Sequence, residues 1–158
     1  MSELNPYEGF LDGRPLEEIL ALTAAEIGRL IEAIGPEKSM VAPAPGKWSA
    51  AEIVSHLADC EIVFGFRLRQ TLADDAPVIQ PFDQDKWAQT YPGIPAADAL
   101  AVFSALRKWN LRLIGASLPH AAGRPVTHPE RGTMTFLTLV ETMAGHDLNH
   151  RGQLQRLA

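Results

Sequence analysis

Four long segments of the chain carry apolar residues at steps of three and four, and stretches rich in proline and glycine separate them. This spacing places apolar side chains on one face of a helix, and such a face has to be covered by other helices. The sequence therefore predicts four helices, over residues 16–34, 49–72, 95–117 and from 133 or 135 through 154 to the end of the chain. Because no segment shows the sustained alternation of a strand, we expect an all-α fold, a four-helix bundle.

Local signals mark the start of three of these helices. Ser49 and Glu52 form the pattern of a capping box, in which each side chain bonds a backbone N–H that the helix start leaves unpaired. Pro95 suits the first turn of the third helix because its φ is fixed near the helical value. Thr133 and Thr135 are both suitable N-cap residues for the fourth helix.

Size and composition predict a single globular domain, residues 1–158, since a chain of 158 residues with 46% hydrophobic side chains buries a core without disulfides. The formal net charge is -5 and no basic run interrupts it, so we expect no binding to nucleic acid or to membranes. Cys60 is the single cysteine, and the amino-terminal residues lack the apolar run of a signal peptide. These features predict a reducing, cytoplasmic location.

The connection between the second and third predicted helices, residues 75–94, is long for a bundle, where ~2–8 residues are usual. It contains Phe82, Trp87 and Tyr91 among several prolines. Long connections of this kind often form lids or binding loops. A short helix that covers the end of the bundle is equally compatible with the pattern.

His146 and His150 lie four residues apart on the apolar face of the fourth predicted helix. Side chains at this spacing converge, and two neutral imidazoles in an apolar interior both need polar partners for their ring nitrogens. A divalent cation satisfies both rings at once. The alternative is that the two rings are hydrogen-bonded core residues, which explain most such pairs.

His56 is a candidate third ligand, because it shares a helical stripe with Ile53 and Cys60 on the second predicted helix. Three histidine ligands leave coordination positions open for water or substrate. We interpret Cys60 as a small buried apolar group. His120 and His128 stand in predicted loops beside proline and glycine, so we expect both to be exposed to solvent and outside the site.

Several known catalytic motifs do not match. The HDLNH stretch differs from the H-E-x-x-H pattern of metalloproteases because Asp147 takes the second position. No G-x-S-x-G turn and no phosphate-binding G-x-x-x-x-G-K-[ST] loop is present in the chain. The sequence therefore assigns no catalytic residue.

Three stretches of the chain, WSAAEIVSHLADCE, PFDQDKWAQTY and HDLNHRGQ, resemble the DinB-like superfamily of helical bundles. The resemblance extends over nearly the whole chain and implies a DinB/YfiT-like four-helix bundle in up-down-down-up order. Members of this superfamily bind a divalent metal, often zinc or nickel, through three histidines, which fall here on His56, His146 and His150. The resemblance also implies a homodimer.

The resemblance further implies a metal-dependent enzyme that acts on a small-molecule substrate. Its members include thiol-dependent S-transferases, which use bacillithiol or mycothiol as cosubstrate, and proteins provisionally assigned as metal-dependent hydrolases. In both, the cation would activate the attacking group, a thiol or water. A metal-binding or metal-sensing module without catalysis and a helical dimer with core histidines are the alternatives.

Six residues are candidates for the surroundings of the metal or the wall of the pocket: Asp59, Asp147, Asn149, Gln153, Phe82 and Trp87. The first three either hydrogen-bond the ring nitrogens that face away from the metal or face solvent. Gln153 follows His150 by three residues, so it is expected to line the same cavity.

Overall fold

A computed structural model of the protein describes residues 4–158. Four long helices dominate it, and shorter elements fill the connections. In chain order the elements are a 3₁₀ turn Glu8–Phe10, α1 Leu16–Ile34, α2 Pro36–Ser39, α3 Ala50–Ala73, α4 Gln84–Ala88, α5 Ala96–Ala121, β1 Pro125–His128, β2 Gly132–Thr135 and α6 Phe136–Gln155.

Helices α3 and α5 run parallel to each other. Glu61 of α3 accepts a hydrogen bond of 2.6 Å from Arg107 of α5, and Arg69, two turns later in α3, donates one of 2.9 Å to Asn110. Residue numbers therefore rise in the same direction along both helices. Parallel neighbours need a connection that returns along the length of the bundle, which explains the long segment between them.

Helix α6 runs antiparallel to α5, because it starts where that helix ends: the Leu137 N–H donates to the Ala122 carbonyl oxygen at 3.0 Å. It runs parallel to α1. Arg107 also pairs with Asp147 of α6 and donates a hydrogen bond of 3.0 Å to the carbonyl oxygen of Leu20 in α1. Further along both helices, Arg151 of α6 pairs with Glu26 of α1 at 2.7 Å. The predicted up-down-down-up order of the four helices is thus confirmed.

The helix starts follow the local signals, with one correction, and α5 ends at Ala121, four residues beyond its predicted end at 117. The backbone N–H of Ser49 donates to the Glu52 carboxylate at 2.7 Å, and the Glu52 N–H donates to Ser49 Oγ at 3.2 Å, which confirms the capping box. Thr135 is the N-cap of α6. Pro95, predicted in the first helical turn, is instead the N-cap of α5, with extended backbone at φ -62° and ψ 140°.

The predicted four-helix bundle is confirmed, and one short element is added to it: β1 and β2 form a two-stranded antiparallel hairpin that the sequence does not predict. Val126 pairs with Met134, and His128 pairs with Gly132 across the turn. Gly132 has a φ of 94°, a conformation that favours glycine at the end of a three-residue hairpin loop. Strands of four residues are too short to show a sustained alternation in the sequence.

The connection over residues 75–94 contains a short helix, α4. A short helix was one of the two predicted alternatives for this segment. Ile79 is fully buried, and its backbone N–H donates to the Thr127 carbonyl oxygen at 2.9 Å, which ties the segment to β1. Tyr91 is also buried. The connection is therefore packed against the bundle at both ends.

The apolar core has two clusters, one around Phe64 and Leu139 and one around Leu57 and Phe103. Between them lies a layer of buried polar side chains from α3, α5 and α6: His56, Glu61, Arg107, His146, Asp147 and His150. Within residues 4–158, no helix combines the length and the apolar character that a membrane span requires. The polar layer is the part of the bundle that differs from an ordinary core.

Gly145 of α6 lets the amino-terminal segment lie directly on the polar layer. A Cβ atom at this position would stand 2.9 Å from Tyr7 Cβ and 3.0 Å from Tyr7 C, and it would also collide with the Tyr7 carbonyl oxygen. Backbone atoms of a packed segment cannot give way as the end of a flexible side chain can. Glycine is therefore required at position 145 because Tyr7 lies so close to it, and not because the backbone has an unusual φ there.

We expect Gly145→Ala to lower the free energy of unfolding by about 1–3 kcal/mol, because overpacking against the backbone of Tyr7 outweighs the better helix propensity of alanine. Urea denaturation measures this change. Gly115→Ala is the matched control: Gly115 also lies in a long helix, α5, but nothing stands within 4 Å of the added Cβ. That variant should gain up to about 1 kcal/mol. Equal effects of the two substitutions would contradict the close approach.

Candidate metal centre

The three predicted ligand histidines meet inside the bundle. His146 Nε2 lies 3.0 Å from His56 Nε2 and 3.1 Å from His150 Nε2, so His146 is the middle ring of the group. One ring nitrogen of each histidine lies within 4.8 Å of those of the other two. All three side chains are at least nine-tenths buried, at 1%, 5% and 5% exposure.

Helix geometry explains the convergence. His146 and His150 are one turn apart on α6, so both rings project from the same face of that helix. His56 projects from α3, which runs antiparallel to α6 and places its ring against both of the others, with centroids 5.1 and 4.9 Å away. The rings are tilted or edge-on rather than stacked, and this directs their Nε2 atoms toward one point.

Burial keeps all three imidazoles neutral. It lowers the pKa of His56 to about 3, with a further contribution from His150. The pKa of His146 is lowered well below its ordinary value, first by burial and then by the neighbouring histidines. Burial also lowers the pKa of His150, although the hydrogen bond to Gln153 acts in the opposite direction. Neutral rings retain the lone pairs that a cation requires.

The spacing of the Nε2 atoms fits a divalent cation. Nitrogens held about 2.0–2.1 Å from one ion lie roughly 2.8–3.4 Å apart at angles between 90° and tetrahedral. The two shortest distances in this group, 3.0 and 3.1 Å, fall in that range. Hydrogen bonds alone satisfy the group poorly, because the single Nε2 of His146 faces two other Nε2 atoms and carries at most one proton.

Gln153 fixes the orientation of one ring, but it lines a separate cavity beside Trp48 and Ile53 and not, as predicted, the one that reaches the histidines. His150 Nδ1 lies 3.0 Å from Gln153 Oε1, so the Nδ1–H donates to the amide oxygen and Nε2 keeps its lone pair for the interior. The other two rings are fixed by packing. The Trp48 ring lies 4.9 Å from that of His56, and the Tyr7 ring lies edge-on to that of His146 at 5.0 Å.

Asp59 and Asp147 do not hydrogen-bond the histidines, which corrects one of the predicted alternatives. Asp59 accepts a hydrogen bond of 2.8 Å from the Tyr91 hydroxyl, and buried Asp147 pairs with Arg107. Asp147 is 2% exposed, and Asp59 is half-buried. Asn149 lies half-buried on α6. The partners of the two aspartates come from distant parts of the chain.

A cavity of about 310 Å³ reaches the histidines from one side. His56 and His146 line it together with Cys60, whose Sγ lies 3.5 Å from His56 Nε2 and 3.8 Å from His146 Nε2. Burial raises the pKa of the Cys60 thiol, in agreement with its interpretation as a buried neutral group. Phe82 from the long connection lines the same cavity, and Trp87 packs against the Phe82 ring at 5.0 Å.

His128 corrects another prediction, because it is buried at the end of β1 and lines this cavity. Its Nδ1 accepts a hydrogen bond of 3.2 Å from the Glu130 backbone N–H. His120 is exposed as expected, but it lies in the last turn of α5 and not in a loop. Sequence reasoning also missed Arg67 and Arg131 in the cavity wall. The sequence carries no clear signal that places His128 on a strand, because each strand of the hairpin has only four residues.

Comparisons with known proteins agree with this arrangement. The chain is 28% identical over 113 residues to a protein of Oceanobacillus iheyensis, and the alignment covers 71% of this chain and 66% of that protein, just under two thirds of its length. It is 22% identical over 130 residues to a second protein of that organism, with 82% and 75% coverage. Both carry names that assign them provisionally to the metal-dependent hydrolases.

The fold also has a close counterpart among solved structures. It matches YfiT from Bacillus subtilis with a TM-score of 0.83 over 90% of this chain and 83% of that one, at 19% identity. That protein is described as a probable metal-dependent hydrolase with an unusual four-helix bundle topology. The family model of the DinB superfamily matches residues 19–154, which include all three histidines and nearly the full length of the four long helices, and the chain therefore belongs to the DinB superfamily.

Proposed function

We propose that the protein is a metal-dependent hydrolase in which His56, His146 and His150 hold a divalent cation. The observation that carries this proposal is the convergence of three buried neutral imidazoles, with Nε2 atoms 3.0 and 3.1 Å apart, at the end of a cavity. The names of the relatives support the same class of reaction. Zinc or nickel is the expected ion, since both suit nitrogen ligands.

A bound divalent cation supplies a Lewis acid that lowers the pKa of a neighbouring water or thiol toward neutrality. The residues of this chain determine where that happens. The three neutral ligands would leave the positive charge of the ion uncompensated, and the cavity beside His56 and His146 would give a substrate access to it. Gln153 holds the His150 ring in the tautomer that binds a metal.

Thiol-dependent S-transfer, which the resemblance to DinB-like proteins implies, would use the same three ligands. The two reactions differ in the attacking group and not in the ion. A metal-binding module without turnover would also share the ligands. Activity measurements on the loaded protein are therefore needed to separate these three functions.

The first experiment measures the metal content of the full chain after removal of any histidine tag. We expect about one zinc or nickel per chain by mass spectrometry after incubation with the ion and gel filtration. The loaded protein should then hydrolyse an activated ester faster than the metal-free protein does. Metal content below about a tenth of an ion per chain would contradict the proposed site.

The same preparation separates the rival functions. Consumption of a low-molecular-weight thiol together with an electrophile, without ester hydrolysis, would indicate the S-transferase. Stoichiometric metal with neither reaction would favour the binding module. The homodimer and the cytoplasmic location stay predictions of the sequence analysis.

A further inference from the structure

Arg67 of α3 is a buried cation without an acidic partner. It is 7% exposed, and within residues 4–158 no salt bridge joins its guanidinium to a carboxylate. Charged side chains are seldom buried unless they are paired. Arg107, the other deeply buried arginine, follows this rule, since it pairs with both Glu61 and Asp147. Arg67 therefore needs a different explanation.

The guanidinium of Arg67 is held in place, but not all of its N–H donors have hydrogen-bond partners. Its Nη2 donates a hydrogen bond of 2.8 Å to the Gln80 carbonyl oxygen, and its Cζ lies 5.9 Å from the Phe64 ring and 6.0 Å from the Phe82 ring. Its Nε is buried and has no hydrogen-bond partner within the described part of the chain. A fixed guanidinium with spare donors is suited to bind an anion.

Arg131 adds a second positive charge to the same cavity. It lies half-buried in the turn between β1 and β2 and lines the cavity with Arg67. Burial lowers the pKa of Arg67, and the repulsion of Arg131 lowers it further. The acidic residue that lines this cavity, Glu130, is exposed at the surface and forms no salt bridge with either arginine. An anion between the two guanidiniums would remove this repulsion.

The two arginines share the cavity with the histidines. One aromatic ring separates them: the Phe64 centroid lies 5.9 Å from Arg67 Cζ and 6.3 Å from the His146 centroid. His56 and His146 line the same cavity as Arg67 and Arg131. A small molecule bound to the arginines at one end would therefore reach the histidines with its other end.

We propose that this cavity binds a small molecule with a carboxylate or phosphate group, which Arg67 and Arg131 hold while its reacting bond lies beside the three histidines. The inference rests on the proposed function and names the substrate class for it. Arg67 and Arg131 act as binding residues here, and the histidines hold the cation. Neutral substrates of the same size would lack the contacts that offset the buried charge of Arg67.

The test uses ¹⁵N-labelled full-length protein, with and without zinc, titrated with succinate or with inorganic phosphate. We expect saturable shifts of the Nε–H signals of Arg67 and Arg131, and the probe with the tighter binding identifies the preferred anion. Arg67→Gln should weaken binding about tenfold or more. Arg112→Gln is the matched control, because it removes the same charge from an exposed position on α5.

The two zinc conditions separate this inference from the proposed function. Stoichiometric zinc binding without saturable shifts would overturn the anion site and leave the metal centre intact. Anion binding without zinc binding would overturn the metal centre and leave the anion site intact. Equal weakening by Arg67→Gln and Arg112→Gln would overturn the proposal, since it would show a general charge effect. If Arg67→Gln does not fold, Arg131→Gln in the turn tests the same site.

Discussion

His146→Ala is expected to lower the affinity for zinc or nickel by more than about 100-fold, which would leave the purified protein essentially metal-free. His146 is the middle ring, with its Nε2 3.0 and 3.1 Å from those of His56 and His150. Without it, only His56 and His150 remain as metal ligands. Loss of a residue that merely orients a ligand costs about 10–100-fold. Loss of the central ligand should cost more. Competition titration against a chelator measures the affinity.

Two further variants turn this prediction into a graded series. Gln153→Ala should weaken binding by about 10–100-fold, because His150 loses the acceptor that fixes its tautomer. His120→Ala should change nothing, since that side chain is exposed in the last turn of α5. Far-ultraviolet circular dichroism shows whether each variant is folded. Stoichiometric metal in folded His146→Ala would contradict the proposed centre.

Most of the helical fold could be predicted because its signals are local. The first helix occupies residues 16–34 as predicted, and the capping box of Ser49 and Glu52 marks the start of α3. The periodicity also placed His56, His146 and His150 on inward faces, and the structure brings these rings together. The pairing of α3 with α6 came from the resemblance to DinB-like proteins, because apolar stripes do not specify which helices are neighbours.

Features that depend on distant partners could not be predicted. His128 reads as a loop residue because the strand that buries it has only four residues and pairs with a strand of the same length. Asp59 was considered for the histidines, but its partner is Tyr91, 32 positions away. Arg67 resembles any arginine on the polar face of a helix until the long connection covers it with Phe82. Only three-dimensional packing shows that its charge is buried.

Arg107→Met is expected to lower the free energy of unfolding by about 3–5 kcal/mol, because it leaves two buried carboxylates without a cation. Arg107 donates to Glu61 at 2.6 Å and to Asp147 Oδ1 at 3.1 Å, and all three residues are 2% exposed. It also donates to the Leu20 carbonyl oxygen. The free energy of unfolding of a stable domain is only about 5–15 kcal/mol in total, so the loss would be a large fraction of it. Urea denaturation at neutral pH measures this change.

A rescue variant tests whether the unpaired carboxylates cause the loss. Combining Arg107→Met with Glu61→Leu and Asp147→Leu removes every charge of the group, and replacement of a buried ionic group by apolar residues is often neutral. The triple variant should therefore recover most of the lost stability. Arg112→Met, an exposed change on the same helix, should cost little. Glu61 and Asp147 lie on the two helices that carry the histidines, so Arg107 bridges α3 and α6 close to the candidate metal centre. Wild-type stability in Arg107→Met would contradict the cost assigned to the unpaired carboxylates.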